Sequence, residues 1–327
     1  MLISLLKIEN IKTQYFSEDL GLVKAVDGVS IDISENEIVG IVGESGCGKT
    51  TLGFSIMRMV PKPGRTVEGR ILLRGRDILS LSEKQFRNLR GKEISMIFQD
   101  PFSYLNPTMK ISDQITDVIM LHQKKTKKDA IKMAEEIFED VRLPSPRDIL
   151  NSFPHELSGG MLQRILISIA ISCHPSLIIA DEPTTALDVT VQRQILELLK
   201  NLGEEHKISI LLITHDLGIV AEICDKVYVM YAGQVVETSD VFSLYDSPQH
   251  PYTQALLASV LSINKLKDEL IAIRGEVPDM RNYPRGCRFH PRCPYVMDIC
   301  SEKDPFMIER RGRAVRCWLY EQDVASR

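Results

Sequence analysis

Gly43-Glu44-Ser45-Gly46-Cys47-Gly48-Lys49-Thr50 fits the spacing G-x-x-x-x-G-K-[ST] of a phosphate-binding loop, and Thr51 follows it. Glycines let the backbone wrap phosphates with its amide hydrogens pointing inward, and a following helix N-terminus adds positive potential. In that chemistry Lys49 reaches the β and γ phosphates and the Thr50 hydroxyl holds Mg²⁺. An acidic pair, Asp181-Glu182, closes the apolar run Leu177-Ile178-Ile179-Ala180. Two carboxylates after a strand can simply be a helix cap or surface charge. Combined with a phosphate loop they have a chemical reading: Asp181 acts on Mg²⁺, and Glu182 orients or deprotonates the water that attacks a γ phosphate.

These groups need elements that deliver them. Leu5 to Thr13, Lys24 to Ile33 and Glu37 to Val42 read as strands, and the third is an apolar run suited to burial. From Thr50 the pattern turns helical, which completes the strand–turn–helix context of the loop. Residues 104 to 173 read as mostly helical. Thr126 to Asp129 resembles a capping box, Pro144 and Pro146 stop the helix that follows, and another helix begins near Ser158. A strand at Leu177 to Ala180, a helix at Val189 to Leu202, a strand at Ile208 to Thr214, a helix at Leu217 to Ile223 and a strand at Lys226 to Tyr231 then alternate. Such alternation indicates an α/β fold with a mostly parallel sheet covered on both faces.

The bulk properties set limits. The chain has 327 residues, 44% hydrophobic and 26% charged, with a net charge of −4. That balance suits a soluble globular protein and argues against a nucleic-acid-binding surface, so no nucleic acid partner is expected. No apolar run approaches the roughly 18 to 20 residues needed to cross a bilayer, so any membrane connection is expected to come through partner subunits. The opening MLISLLKIEN has Lys7 and Glu9 too early for a signal peptide and reads as a first strand.

Leu157-Ser158-Gly159-Gly160-Met161-Leu162-Gln163-Arg164 resembles the signature of ABC-type ATPases, with Met161 where glutamine is usual. The Ser158 hydroxyl and the bare amides of Gly159 and Gly160 at a helix tip also make physical sense as an anion site. The resemblance implies that this tip faces the γ phosphate held by a second ABC ATPase subunit, a copy or a paralogue. It further implies that Gln99 in Ile97-Phe98-Gln99-Asp100-Pro101 joins Mg²⁺ and the attacking water. Thr185-Ala186-Leu187-Asp188 is similar to the loop that communicates across such a dimer, and His215 to the switch histidine on the γ phosphate. Tyr15, with Phe16 as rival, is similar to the aromatic that stacks on adenine. The family fold so implied is a RecA-like mixed sheet with antiparallel strands and a helical subdomain, over residues 1–260 with the helices at about 104–173. ATP would hold two domains together and its hydrolysis release them.

Ser247 to Leu256, Arg90-Gly91-Lys92, Tyr104 to Pro107 and a cysteine-rich tail resemble the oligopeptide/dipeptide branch of bacterial ABC importers. This branch implies a subunit on the cytoplasmic face of the membrane, docked on two permeases and driving uptake of peptides brought by an extracytoplasmic binding protein. Nickel importers share much of the pattern. A soluble iron–sulfur ABC ATPase acting on ribosomes or nucleic acid is the rival from another class, but such proteins usually carry two ATP domains, and this chain has one phosphate loop.

The remaining residues, 261–327, are expected to be a small irregular extension. It holds four of the seven cysteines, Cys287, Cys293, Cys300 and Cys317, separated by five, six and sixteen residues. Four thiols suit an iron–sulfur cluster or zinc, although structural zinc usually uses tighter pairs. Plain reduced thiols or disulfides are the alternatives. The resemblance implies a [4Fe–4S] cluster of structural or regulatory role. Arg281, Arg285, Arg288, Arg292, Arg310, Arg311, Arg313 and Arg316 crowd round these cysteines and could balance an anionic cluster, or bind lipid headgroups or nucleic acid.

Overall fold

A computed structural model describes residues 4–17, 21–185, 187–263, 273, 275–310 and 312–321, with the side chains of 260–263 left aside. The strands are β1 (Ser4–Ser17), β2 (Gly21–Ser34), β3 (Ile38–Val42), β4 (Arg65–Leu73), β5 (Arg76–Asp77), β6 (Ile94–Ile97), β7 (Leu177–Asp181), β8 (Ser209–Ile213), β9 (Lys226–Tyr231), β10 (Gln234–Asp240), β11 (Ile308–Arg310) and β12 (Arg313–Val315). The helices are α1 (Lys49–Ile56), α2 (Glu83–Leu89), α3 (Pro101–Tyr104), α4 (Ile111–Gln123), α5 (Lys127–Asp140), α6 (Pro146–Asn151), α7 (Gly159–Ile171), α8 (Val189–His206), α9 (Leu217–Ile223), α10 (Val241–Asp246), α11 (Pro251–Ile263) and α12 (Asp298–Glu302). The chain divides into two compact units, one of residues 34–38 and 80–212, the other of 4–33, 39–79 and 213–327.

In the first unit β6 and β7 pair in parallel, Ile94 opposite Leu177 and Ile97 opposite Ala180, and β8 lies on the other side of β7. All residues of these three strands are buried, as expected of parallel strands packed on both faces. Helices α4, α5, α6 and α7 pack on one another as the helical part. The α5 start is where its sequence placed it: the Thr126 hydroxyl oxygen accepts from Asp129 N and its hydroxyl donates to the Asp129 carboxylate. Pro146 differs from expectation. It begins α6 rather than merely ending α5, because a proline in the first turn gives up an amide hydrogen that has no helical partner there.

In the second unit β1, β2, β4 and β5 form a sheet in the order β2-β1-β4-β5, with β4 antiparallel to both β1 and β5. A separate run of strands goes β3-β9-β10-β12-β11: β9 is parallel to β3, and every later pair is antiparallel. The extension is therefore not irregular throughout. Its β12 pairs with β10, Glu237 opposite Val315, so the tail completes a sheet edge that begins beside the phosphate loop. Helix α11 runs to Ile263, past the expected boundary at 260. Val42, Val227, Val229, Tyr231, Tyr252, Leu257 and Phe289 share one buried core, which joins strands, α11 and extension.

Candidate nucleotide-hydrolysis site

In the second unit the five buried residues of β3 feed straight into the loop Gly43–Gly48 and then α1. Gly48 has φ +104°, and a Cβ there would lie 2.1 Å from Ala25 O. Gly43 has φ +156°, and its Cβ would lie 2.1 Å from Met230 O. Both positions exclude any side chain, so the glycine spacing is a steric requirement of this loop. Helix α1 has no side-chain cap at Gly48, so the loop leads straight into a helix N-terminus, whose dipole gives positive potential. Lys49 is 5% exposed, and its ammonium donates to Gly43 O at 2.8 Å and Glu44 O at 3.1 Å. Burial raises the Cys47 thiol above its ordinary pKa, so this residue fills the loop as a neutral group.

Tyr15 lies on β1 with its ring against Gly64, while the rival Phe16 is 60% exposed. The Thr13 hydroxyl bonds the Ser55 hydroxyl at 2.7 Å, which ties the strand carrying Tyr15 to α1. His215 is exposed in the turn after β8. The turn is fixed by Thr214 N donating to Ile41 O at 3.0 Å and by Asp216 N donating to the Thr214 hydroxyl at 3.0 Å. That anchors the histidine's backbone to the strand leading into the phosphate loop.

In the first unit β7 ends in buried Asp181, and Glu182 follows with φ +45°. A non-glycine residue in this region stores about 1 to 3 kcal/mol of strain, a feature concentrated at functional sites. The Glu182 carboxylate accepts from Gln99 Nε2 at 3.0 Å and from the Thr185 hydroxyl at 2.8 Å. Gln99 and Glu182, 83 residues apart, thus meet directly. Phe98 beside Gln99 stacks on Tyr104 with centroids 3.7 Å apart.

Ser158 caps α7, its hydroxyl accepting from Met161 N at 3.4 Å. Gly159 and Gly160 form the first turn. A Cβ on Gly160 would lie 2.9 Å from Val191 in α8, whose cap is Asp188, accepting from Thr190 N at 3.1 Å and Val191 N at 3.0 Å. The signature turn and the Asp188 loop therefore pack together, while Ala186 lies outside the described residues. The expected residues fall into two groups: Tyr15, the loop and His215 in one unit; Gln99, Ser158, Gly159, Gly160, Asp181, Glu182 and Asp188 in the other.

A model of the family described as "ABC transporter" matches residues 26–185, and one described as "Oligopeptide/dipeptide transporter, C-terminal region" matches 236–300. The oligopeptide transport ATP-binding protein AppD of Bacillus subtilis (strain 168) is 48% identical over 99% of each chain. The dipeptide transport ATP-binding protein DppD of Escherichia coli (strain K12) is 43% identical, also over 99% of each. The chain belongs to the oligopeptide/dipeptide family of ABC transporter ATP-binding proteins. A solved dimer of the ATP-binding cassette MJ0796 with ADP and phosphate shares the fold: TM-score 0.65 and 26% identity, covering 72% of this chain and 98% of that one.

Within the segment Ser247 to Leu256, the four residues from His250 to Thr253 are buried. His250 and Tyr252 are at most 1% exposed, and the Glu237 carboxylate accepts from Gln249 N and His250 N, both at 2.8 Å. Burial pushes His250 down to about 3 from its ordinary 6.5. Below pH 6.5 the unfolded chain then binds a proton that the native state refuses. Stability falls with falling pH, by about 1.4 kcal/mol per unit at most. Buried Glu237, whose carboxyl is raised, offsets part of this by taking up a proton when folded. A His250→Gln variant is expected to flatten the fall in Tm between pH 6.5 and 4; an unchanged slope would contradict this assignment.

The four tail cysteines all line one small cavity, of about 10 Å³, together with His250, Phe289 and Trp318. All seven cysteines are free thiols rather than disulfides. Burial, with repulsion among the thiols as a smaller cause, pushes Cys287 up to about 12 and Cys317 up to about 11, and it raises Cys293 as well. A zinc ion would need sulfurs about 3.8 Å apart, from tetrahedral bonds of ~2.3 Å. Among the described residues no three His, Cys, Asp or Glu side chains are gathered closely enough to hold a metal ion, so neither zinc nor an iron–sulfur cluster has support from this geometry. Arg311 of the arginine cluster lies outside the described residues. Five of the others already have carboxylate partners. Arg281 pairs with Asp279, Arg288 with Asp27, Arg292 with Glu44, Arg313 with Glu237 and Arg316 with Asp304. No described helix is long and apolar enough to cross a membrane.

Proposed function

We propose that this chain is the ATP-hydrolysing subunit that energises import of dipeptides or oligopeptides. It works as a pair with a copy or paralogue, beneath two permeases on the cytoplasmic face of the membrane, with an extracytoplasmic binding protein supplying the peptide. The observation that carries this reading is a phosphate-loop motif with Lys49 held by Gly43 O, and a Gln99–Glu182 pair, in the same chain as a C-terminal region of the oligopeptide/dipeptide type over 236–300. Lys49 grips the β and γ phosphates, Thr50, Gln99 and Asp181 serve Mg²⁺, and Glu182 prepares the water. His215 senses the γ phosphate, and Tyr15 carries adenine. Ser158, Gly159 and Gly160 close on the γ phosphate of the partner subunit's ATP, and Asp188 relays between the two. Residues 1–260 form the ATPase domain and 261–327 its extension.

The test is uptake into vesicles holding the chain with its permeases and binding protein. ATP-dependent accumulation of labelled di- or oligopeptide is expected; accumulation of Ni²⁺ without peptide, or ATPase activity that requires RNA or DNA, would overturn the reading.

The four clustered thiols support a second proposal, that Cys287, Cys293, Cys300 and Cys317 hold a [4Fe–4S] cluster. Such a cluster takes one thiolate at each of four corners, and four cysteines line the one cavity. Bound there, it would tie α12, the segment just after β12 and the Cys287–Cys293 turn together. Anaerobically purified chain should contain about four iron and four sulfide per chain with broad visible absorbance. Zinc alone, or no metal, would remove the cluster.

A further inference from the structure

We propose that the C-terminal extension is the rear support of the phosphate loop, and that Arg292, acting through Glu44, is a positioning residue for nucleotide binding. This rests on the loop being the ATP site. Glu44 is the second residue of that loop, and each of its polar parts is held. Its N–H donates to the Tyr252 hydroxyl at 2.9 Å, and its carbonyl accepts from the Lys49 ammonium at 3.1 Å. Its carboxylate takes both arms of the Arg292 guanidinium, at 2.8 and 3.0 Å. A planar fork on a carboxylate fixes direction as well as distance, so the side chain of Glu44 cannot swing into the loop.

The anchor is rigid. The Arg292 side chain is 4% exposed, and its guanidinium also donates to the Tyr231 hydroxyl at 3.3 Å. Tyr231, Tyr252 and Phe289 pack ring against ring, with centroids 4.6, 5.3 and 5.6 Å apart. Two more extension side chains reach the same wall. Tyr283 donates to Lys24 O at 3.0 Å, and Arg288 donates to Ala232 O at 2.5 Å and pairs with Asp27. Gly233, next to Ala232, donates its N–H to Cys47 O of the loop at 3.0 Å.

The electrostatic consequence is direct. A carboxylate within a loop that receives a triphosphate repels it, and in this partly buried place the repulsion is weakly screened. Arg292 neutralises Glu44 and holds it back, so the extension sets the potential that ATP meets.

The experiment is MgATP titration of the full chain by calorimetry, with circular dichroism to verify folding. Arg292→Ala should weaken binding roughly tenfold, equivalent to about 1.4 kcal/mol, and less in high salt. Arg292→Lys, which keeps charge but loses the fork, should fall between. Removing the acid in the same chain, Arg292→Ala with Glu44→Gln, should recover most of the affinity, and Glu44→Gln alone should bind at least as tightly as the parent. A merely structural bond predicts no such rescue. Unchanged binding by Arg292→Ala, a double variant no better than the single, or a tenfold loss in Glu44→Gln would each overturn the proposal. Should Arg292→Ala not fold, Glu44→Gln and Arg292→Lys decide it. Lys49→Ala separates the two levels: if it loses ATP while Arg292→Ala does not, only this inference fails.

Discussion

Replacing Glu182 with glutamine should leave MgATP binding intact and slow its hydrolysis by at least about a hundredfold. The two side chains have nearly the same shape, so the change removes a base and a charge without opening a cavity. The geometry narrows what is lost. The Glu182 carboxylate is held by the Gln99 amide and the Thr185 hydroxyl, on a backbone twisted to φ +45°. Both bonds go to the same carboxylate oxygen, so a glutamine carbonyl in its place can keep them, but it cannot take a proton from water. With the γ phosphate uncleaved, the bridge to the partner's signature turn would persist, and the variant should accumulate as an ATP-bound dimer by size-exclusion chromatography with light scattering. Full turnover in this variant would remove Glu182 from the attacking-water role. Gln99→Ala offers a graded comparison: it should slow hydrolysis less, since it orients the carboxylate rather than supplying the base.

The nucleotide motifs were legible in sequence because they are local. A glycine loop needs its own φ values, and Gly43 and Gly48 show why: Met230 O and Ala25 O stand where a Cβ would be. Asp181-Glu182 was readable because four apolar residues must bury β7 before the chain can present charge. Helices α8 and α9 and strand β9 follow from periodicity, and α9 and β9 agree to the residue.

The readings that failed or were missing are long-range. None of Arg65 to Arg70 in β4 is buried, and this stretch is a strand through its pairing with β1, Glu9 opposite Arg70 and Thr13 opposite Thr66. β12 has three residues and exists by pairing with β10. No local signal joins Arg292 to Glu44, 248 residues away, so the arginines near the cysteines read as balance for an anionic cluster or as a site for lipid headgroups or nucleic acid, although several are already paired. Pro146 shows the opposite limit: the residue stands out in the sequence, but whether a proline ends one helix or begins the next depends on the chain after it.

The extension changes what the family resemblance means for this chain. Trp318 donates to Lys303 O at 3.0 Å, and Phe306 meets its ring edge-on at 5.6 Å, so the tail has a small core of its own. Through Phe289 that tail also enters the core behind the loop. Truncation at residue 260 would therefore strip away the partner of the Glu44 carboxylate.

The grip of Lys49 on a triphosphate is the claim from which hydrolysis, dimerisation and transport all follow. Its ammonium is buried against the carbonyls of Gly43 and Glu44, at the mouth of an uncapped helix. Exchanging those neutral acceptors for phosphate oxygens is the interaction that the loop geometry prepares. Calorimetric titration of MgATP into Lys49→Ala measures it most directly. Affinity should drop by at least about a hundredfold, with hydrolysis lost and the fold retained, since a charge-assisted contact to phosphate is removed. Affinity and turnover equal to the parent chain would contradict the account at its root.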